Sequence, residues 1–224
     1  MKNAVVVGAT GGIASGLVKA LEQEGYKVIS VARSTGMKCD LTDLKQIANA
    51  AEEIKKEINT LDLLINAAGV ATYKNLEEVS DKEMQEAFMV NVMAPAIFIR
   101  ELLPLMDPDE SLVMSLGSGA GTIPMRGRSI YCSTKYALRG LSLSLNEEFE
   151  GKNPKFCLIT LGSTITNFGP MTAKEKEEQA AKGKAYFPVN FVVDKLIEII
   201  KDPNRENEIT LFPSEHGFGT WKKP

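Results

Sequence analysis

Three side chains in one stretch have the types and spacing to move a proton on and off an oxygen. They are Ser118, Tyr131 and Lys135, in S-G-A-G-T-I-P-M-R-G-R-S-I-Y-C-S-T-K. Tyr131 to Phe149 carries a helical pattern, with Leu138, Leu141, Leu145 and Phe149 at three- and four-residue steps. Residues four apart on a helix share a face, so the Tyr131 phenol and the Lys135 ammonium become neighbours. A cation beside a phenol lowers its pKa. Tyrosine ordinarily titrates near ~10, so bringing it toward neutrality takes about 4 kcal/mol of differential stabilisation. A tyrosine tuned that way gives a proton to a carbonyl oxygen, or removes one from an alcohol, at neutral pH. Ser118 would hold the same oxygen. A bare Tyr-x-x-x-Lys is more often an ordinary helix face, but of the five tyrosines only Tyr131 has a lysine four residues on.

The elements that must position these groups alternate along the chain. Ala4 to Val7 is an unbroken apolar run, as for a strand buried on both faces. It enters G-A-T-G-G-I-A-S-G, followed by a helix with Ile13, Leu17, Ala20 and Leu21 on one side, ending near Gly25. V-I-S-V-A is a second strand, and strand, glycine turn, helix, strand is a βαβ unit. M-K-C-D is a short third strand, with no room for a crossover helix before it. Thr42 or Asp43 caps the next helix, which buries Leu44, Ile47, Ala51, Ile54 and Ile58. L-D-L-L-I-N, S-L-V-M-S-L, F-C-L-I-T-L and E-I-T-L-F complete seven strands. A helical stretch from Asp81 to Leu103, disturbed at Pro95, follows the fourth. Residues 166–188 break the rhythm with Gly, Pro and a charged run that reads as a short solvated helix, a lid over the substrate. The expectation is an α/β fold, a Rossmann-type doubly wound, mostly parallel seven-stranded sheet in a single domain over residues 1–224.

In such sheets ligands bind beyond the carboxyl ends of the strands, where the glycine turn, Asn66-Ala67-Ala68-Gly69, Ser118 and Leu161-Gly162 all fall. In Gly8-Ala-Thr10-Gly11-Gly12-Ile13-Ala14 the glycines let backbone amides reach a pyrophosphate at a helix N-terminus. The second strand ends V-A-R-S, with no carboxylate to accept from a ribose and with Arg33, beside Ser34, suited to a 2′-phosphate. NADP(H) is therefore the expected cofactor, NAD(H) the other option; an exposed arginine with no such role is the plainer account of Arg33.

The net charge of −3 argues against a general nucleic-acid surface. Ala87 to Ile99, interrupted by Asn91 and Pro95, reads as too short to span a bilayer. Three scattered cysteines without metal-ligand spacing fit a reducing, cytoplasmic setting.

With Gly8-x-x-x-Gly12, Asp40, Asn66-x-Ala-Gly69, Asn91, Ser118 and Tyr131-x-x-x-Lys135 in order, the chain resembles a classical short-chain dehydrogenase/reductase over nearly its whole length. The resemblance implies hydride transfer between a nicotinamide and a carbonyl or secondary alcohol. It implies Tyr131 as general acid/base, Ser118 orienting the substrate oxygen, and Lys135 lowering the Tyr131 pKa and binding the nicotinamide ribose. Asn91 would hold a water in a proton relay. Asp40 with Leu41 would lie by the adenine, Asn66 would brace the sheet, and Gly162, Thr164 and Thr166 would stand near the nicotinamide. A small-molecule substrate and a homodimer or homotetramer are likewise implied. Departures are Val7 for a threonine, Ala14 for the third glycine, Ala67 for a second asparagine and Leu161 for a proline.

Phe168, Met171, Tyr186 and Phe187 either wall the substrate pocket or simply pack. Arg126 and Arg128 either meet an anionic substrate or belong to a solvated loop or subunit contact. A non-catalytic NADP(H)-binding redox sensor or regulator is the rival from another class, and a sugar-nucleotide epimerase or dehydratase the enzymatic one.

Overall fold

In the computed structural model, which describes residues 1–221, the apolar runs become the strands of one sheet. These are β1 (Asn3–Val7), β2 (Lys27–Ala32), β3 (Met37–Lys38), β4 (Leu63–Asn66), β5 (Leu112–Leu116), β6 (Lys155–Leu161) and β7 (Glu208–Leu211). Their order is β3-β2-β1-β4-β5-β6-β7, and every pairing is parallel. The chain leaves β1 toward one side and returns to its other side at β4, so the strand order reverses there and a crevice opens above the two strands.

Helices cover both faces. On one lie α1 (Gly12–Gln23) and α7 (Val189–Lys201), where Ala4, Val6, Leu63, Ile65 and Met114 pack against Leu17, Leu21, Val192 and Leu196. On the other lie α2 (Leu44–Glu57), α3 (Asp81–Phe88), α4 (Ala94–Leu102) and α5 (Ser129–Glu148). There Val5, Val7, Leu64 and Val113 meet Ile47, Ile54, Phe98 and Leu102. Strand residues alternate between the two cores, which is why Ala4–Val7 of β1 and Leu63–Ile65 of β4 are apolar throughout. Asp43 caps α2 by accepting from the amides of Lys45 and Gln46. β3 is only two residues long, because Cys39 turns inward and Asp40 begins the next turn.

The long central helix differs from its expected form. The disturbance is a π-helical stretch, Met89–Met93, and Pro95 sits in the first turn of α4. Proline has no N–H to give to the carbonyl four residues back, which is that of Asn91, so the regular ladder must break there. The helical run continues through this point as Asp81–Leu105, long and apolar enough to cross a membrane, with mean hydropathy 1.5 in an 18-residue window. The expectation of too short a run is thereby corrected. Ala87, Val90, Ala94, Phe98, Ile99 and Leu102 are nevertheless buried in the core, the placement of a core helix.

Candidate active site

A cavity of about 1510 Å³ opens over the carboxyl ends of the strands. At its centre β1 runs into the glycine turn. Gly8 holds φ of 86°, and a Cβ there would lie 2.5 Å from the Ala68 amide nitrogen, so only glycine lets the first and fourth loops meet. At Gly12 a Cβ would come within 2.8 Å of the Thr166 side chain. Gly11 caps α1 without a side-chain hydrogen bond, leaving the first-turn amides free at the positive end of a 12-residue helix. Ala14, in place of a third glycine, is buried in the core.

From this turn the cavity runs one way to Arg33, Asp40 and Leu41, and the other past Ala67, Ala68 and Gly69 to Ser118, Tyr131 and Lys135. Thr10, Ile13, Gly162, Thr164 and Thr166 line it as well. Asp40 turns its carboxylate onto the amide and hydroxyl of Thr42, and those bonds, with Arg33 nearby, hold its pKa below the ordinary range.

Three expected residues stand off the cavity wall. Ser34 lies exposed in the tight turn that brings Met37 beside Val31. Asn66 is buried within β4, its amide donating to Ser115 Oγ at 3.4 Å, so it ties β4 to β5; its Oδ1 has no partner among the described residues. Asn91, wholly buried, lies behind the wall. Its Nδ2 donates to Val70 O and Thr134 Oγ1, both at 2.9 Å, while its Oδ1 accepts from Val70 N at 2.8 Å. Thr134 in turn donates to the carbonyl of Tyr131, so the asparagine braces both the fourth loop and α5.

Tyr131 and Lys135 share a face of α5 as the spacing requires, and each is only 4% exposed. The Tyr131 ring stands edge-on to Tyr73, centroids 5.6 Å apart, and 6.0 Å from Phe168. Ser118, whose Oγ accepts from Ala120 N, lies close enough to the phenol to favour its ionised form. The electrostatics differ from the expectation of a lowered phenol pKa. Burial raises the Tyr131 pKa above its ordinary value, opposed by the Ser118 hydrogen bond and by the Arg128 guanidinium. Lys135 does not reverse this, because its Nζ lies 6.0 Å from the ring centroid and donates to Leu116 O at 3.0 Å. Burial pushes the lysine itself down to about 8. A Cβ on Gly69 would lie 3.5 Å from Asn91 Oδ1 and 3.8 Å from Lys135 Nζ, so the glycine keeps open the space over both groups.

The family model for short chain dehydrogenases matches residues 2–179. The chain belongs to that family. It is 29% identical over 205 residues to human dehydrogenase/reductase SDR family member 11, covering 80% of this chain and 79% of that protein. Among solved structures it is similar to an alcohol dehydrogenase from the archaeon Thermococcus sibiricus complexed with 5-hydroxy-NADP. That match has a TM-score of 0.81 and 23% identity and covers 95% and 97% of the two chains. It is similar also to 4-hydroxyisoleucine dehydrogenase complexed with NADH, with a TM-score of 0.81, 20% identity and coverage of 94% and 96%. At these identities the structural likeness is one of fold.

In this short-chain dehydrogenase two further segments border the cavity: residues 166–188, which the sequence did single out, and the chain after β7, which it did not. The charged run does form a helix, α6 (Ala173–Ala181), capped by Thr172 and Glu175, but it is not wholly solvated. Lys176 is 8% exposed and donates to the carbonyls of Thr166 at 2.8 Å and Phe168 at 2.7 Å, with Thr164 at 3.5 Å. It therefore ties α6 to the loop after β6, with no carboxylate partner among the described residues, and burial lowers its pKa. Lys176→Met is expected to raise KM for cofactor and substrate roughly tenfold, since two hydrogen bonds from a charged donor are lost. Steady-state kinetics and faster limited proteolysis within residues 164–184 would check this. The chain after β7 forms the other edge: Thr220 pairs with Gly183 and Ala185, and Trp221 lines the cavity.

Proposed function

We propose that this short-chain dehydrogenase reduces a carbonyl, or oxidises the corresponding secondary alcohol, with NADP(H) preferred. The observation that carries the proposal is that Ser118, Tyr131 and Lys135 share one cavity with the free amides of the α1 N-terminus. Those amides suit a pyrophosphate, the glycine cradle lets it approach, and the cavity's extent from Asp40 to Lys135 suits a dinucleotide. The cofactor supplies the hydride and accepts it in the reverse direction. Ser118 holds the substrate oxygen, and Tyr131 hands it a proton as negative charge develops. The raised pKa keeps the phenol protonated at neutral pH, and an alkoxide is a stronger base than a phenolate, so the transfer remains downhill. Lys135 supplies positive charge and donors at the same end, with Asn91 positioning the wall behind it. Because the Lys135 charge is present below its pKa of about 8 and absent above it, reductive kcat/KM should fall as pH rises through that value.

Arg33 lines the adenine end and has no ion-pair partner among the described residues. Arg33→Ala should weaken NADPH roughly thirtyfold, the worth of a charge-assisted pair, while NADH changes little. An unchanged NADPH/NADH affinity ratio would rule out the preference.

We further place the protein in the cytoplasm, a reading supported by three free, buried cysteines. Assembly as a homodimer or homotetramer through the helices around Asn91 and Tyr131 is supported by exposed Phe88 at the end of α3, Met93 in the π-helical stretch and Tyr136 on α5, and light scattering tests it.

A further inference from the structure

Arg128 stands one turn before Tyr131, at the N-cap of α5, half-buried in the cavity wall. Its guanidinium carbon lies 4.2 Å over the centroid of Tyr73, the ring that meets Tyr131 edge-on. Its Nη1 rests on Met125 Sδ at 3.3 Å, and among the described residues it has no carboxylate partner. Lys135 and Lys176, the other buried cations of the cavity, are committed to backbone carbonyls, whereas Arg128 is held in place by an aromatic face and a thioether. A guanidinium held over an aromatic ring, with only Nη1 turned to a thioether, keeps its other N–H donors available, and those match a carboxylate. The neighbouring surfaces of Tyr73, Met125 and Phe168 are apolar or aromatic. They suit a singly charged group on an organic body better than a strongly hydrated phosphate dianion.

We propose that the substrate is a carbonyl compound bearing a carboxylate, with Arg128 binding the anion while Ser118 and Tyr131 hold the reacting oxygen. This rests on the oxidoreductase reading. In reduction the carbonyl carbon takes a hydride from the reduced nicotinamide and its oxygen takes the Tyr131 proton, giving a hydroxy acid. The carboxylate is unchanged.

The test uses paired oxo acids and their methyl esters, differing in chain length between carbonyl and carboxylate, with NADPH and the full-length protein. For the best pair, wild-type kcat/KM should favour the acid roughly a hundredfold, and Arg128→Met should bring the ratio near one. Arg128→Lys should retain part of it, and circular dichroism shows whether each variant folds. A wild-type enzyme that prefers the ester, or an Arg128→Met variant that loses both substrates by the same factor, would overturn the proposal. The latter result would make Arg128 a prop for Tyr73. Fluorescence of Trp221, the single tryptophan, follows binding independently of turnover. Acid binding that needs Arg128 but gives no turnover would support the anion subsite and sink the hydride-transfer reading. Absence of Arg128-dependent binding across the series would overturn the subsite.

Discussion

Replacing Tyr131 by phenylalanine is expected to lower kcat about a thousandfold, the scale of a lost general acid, while Kd for NADPH stays within a small factor. The substitution removes one oxygen and keeps the ring whose edges meet Tyr73 and Phe168. The hydroxyl sits in a site where burial already disfavours its ionised form, so its removal leaves no buried charge unpaired. Ser118 keeps the Ala120 amide as partner. Fold and cofactor site should therefore survive, and the loss should fall on the chemical step. Steady-state kinetics beside a Trp221 fluorescence titration separate the two quantities. Full turnover in the variant would remove Tyr131 from the mechanism.

Lys135→Met should give a protein that is more stable and almost inactive. The lysine is buried, its Nζ has one acceptor, Leu116 O, and its pKa is lowered from 10.5 to about 8. The unfolded chain thus binds more protons than the folded one between these values, and the wild type gains stability as pH rises across that window. Below about pH 8 the whole cost is present, about 3 kcal/mol for a shift of this size. Methionine relieves it and forfeits one hydrogen bond worth about 1 kcal/mol. A net gain near 2 kcal/mol corresponds to roughly 5 °C in Tm at pH 7, shrinking as pH approaches 10.5. Activity should fall about a hundredfold or more, because the charge beside the reacting oxygen is gone. Thermal unfolding at several pH values, with activity measured on the same preparations, checks both halves. A variant less stable at pH 7 would show that the folded protein does not carry this cost.

Local signals reached furthest where they were also structural constraints. The β1 run, the glycines at 8 and 12 and the helical spacing of Tyr131 with Lys135 each admit few geometries, and all are found as the pattern requires. The electrostatics of the pair were not legible. Spacing puts the two side chains on one face, but how deeply they are buried and which carbonyl takes the ammonium depend on β5, fifteen or more residues upstream. The same limit hid Lys176: within A-K-E-K-E-E-Q it has the composition of solvent-facing helix, and only the fold brings three carbonyls of the preceding loop over it. Tyr73 and Trp221 lie in segments without periodicity, and tertiary packing alone brings them to the cavity. One signal was read only in part: Pro95 was expected to disturb the helix, but it also stands four residues after Asn91, a spacing that marks the carbonyl to which a regular helix would have donated from position 95.

Hydride transfer is the central claim, and isotope transfer tests it most directly. The protein would be incubated with NADPH deuterated at the nicotinamide C4 and a carbonyl substrate drawn from the oxo acid and ester series. The alcohol would then be examined by mass spectrometry and NMR. Deuterium on the carbinol carbon, formed by the wild type and not by Tyr131→Phe, is the predicted result. Cofactor that binds while no labelled alcohol forms from any member, or product whose carbinol hydrogen comes from water, would contradict it.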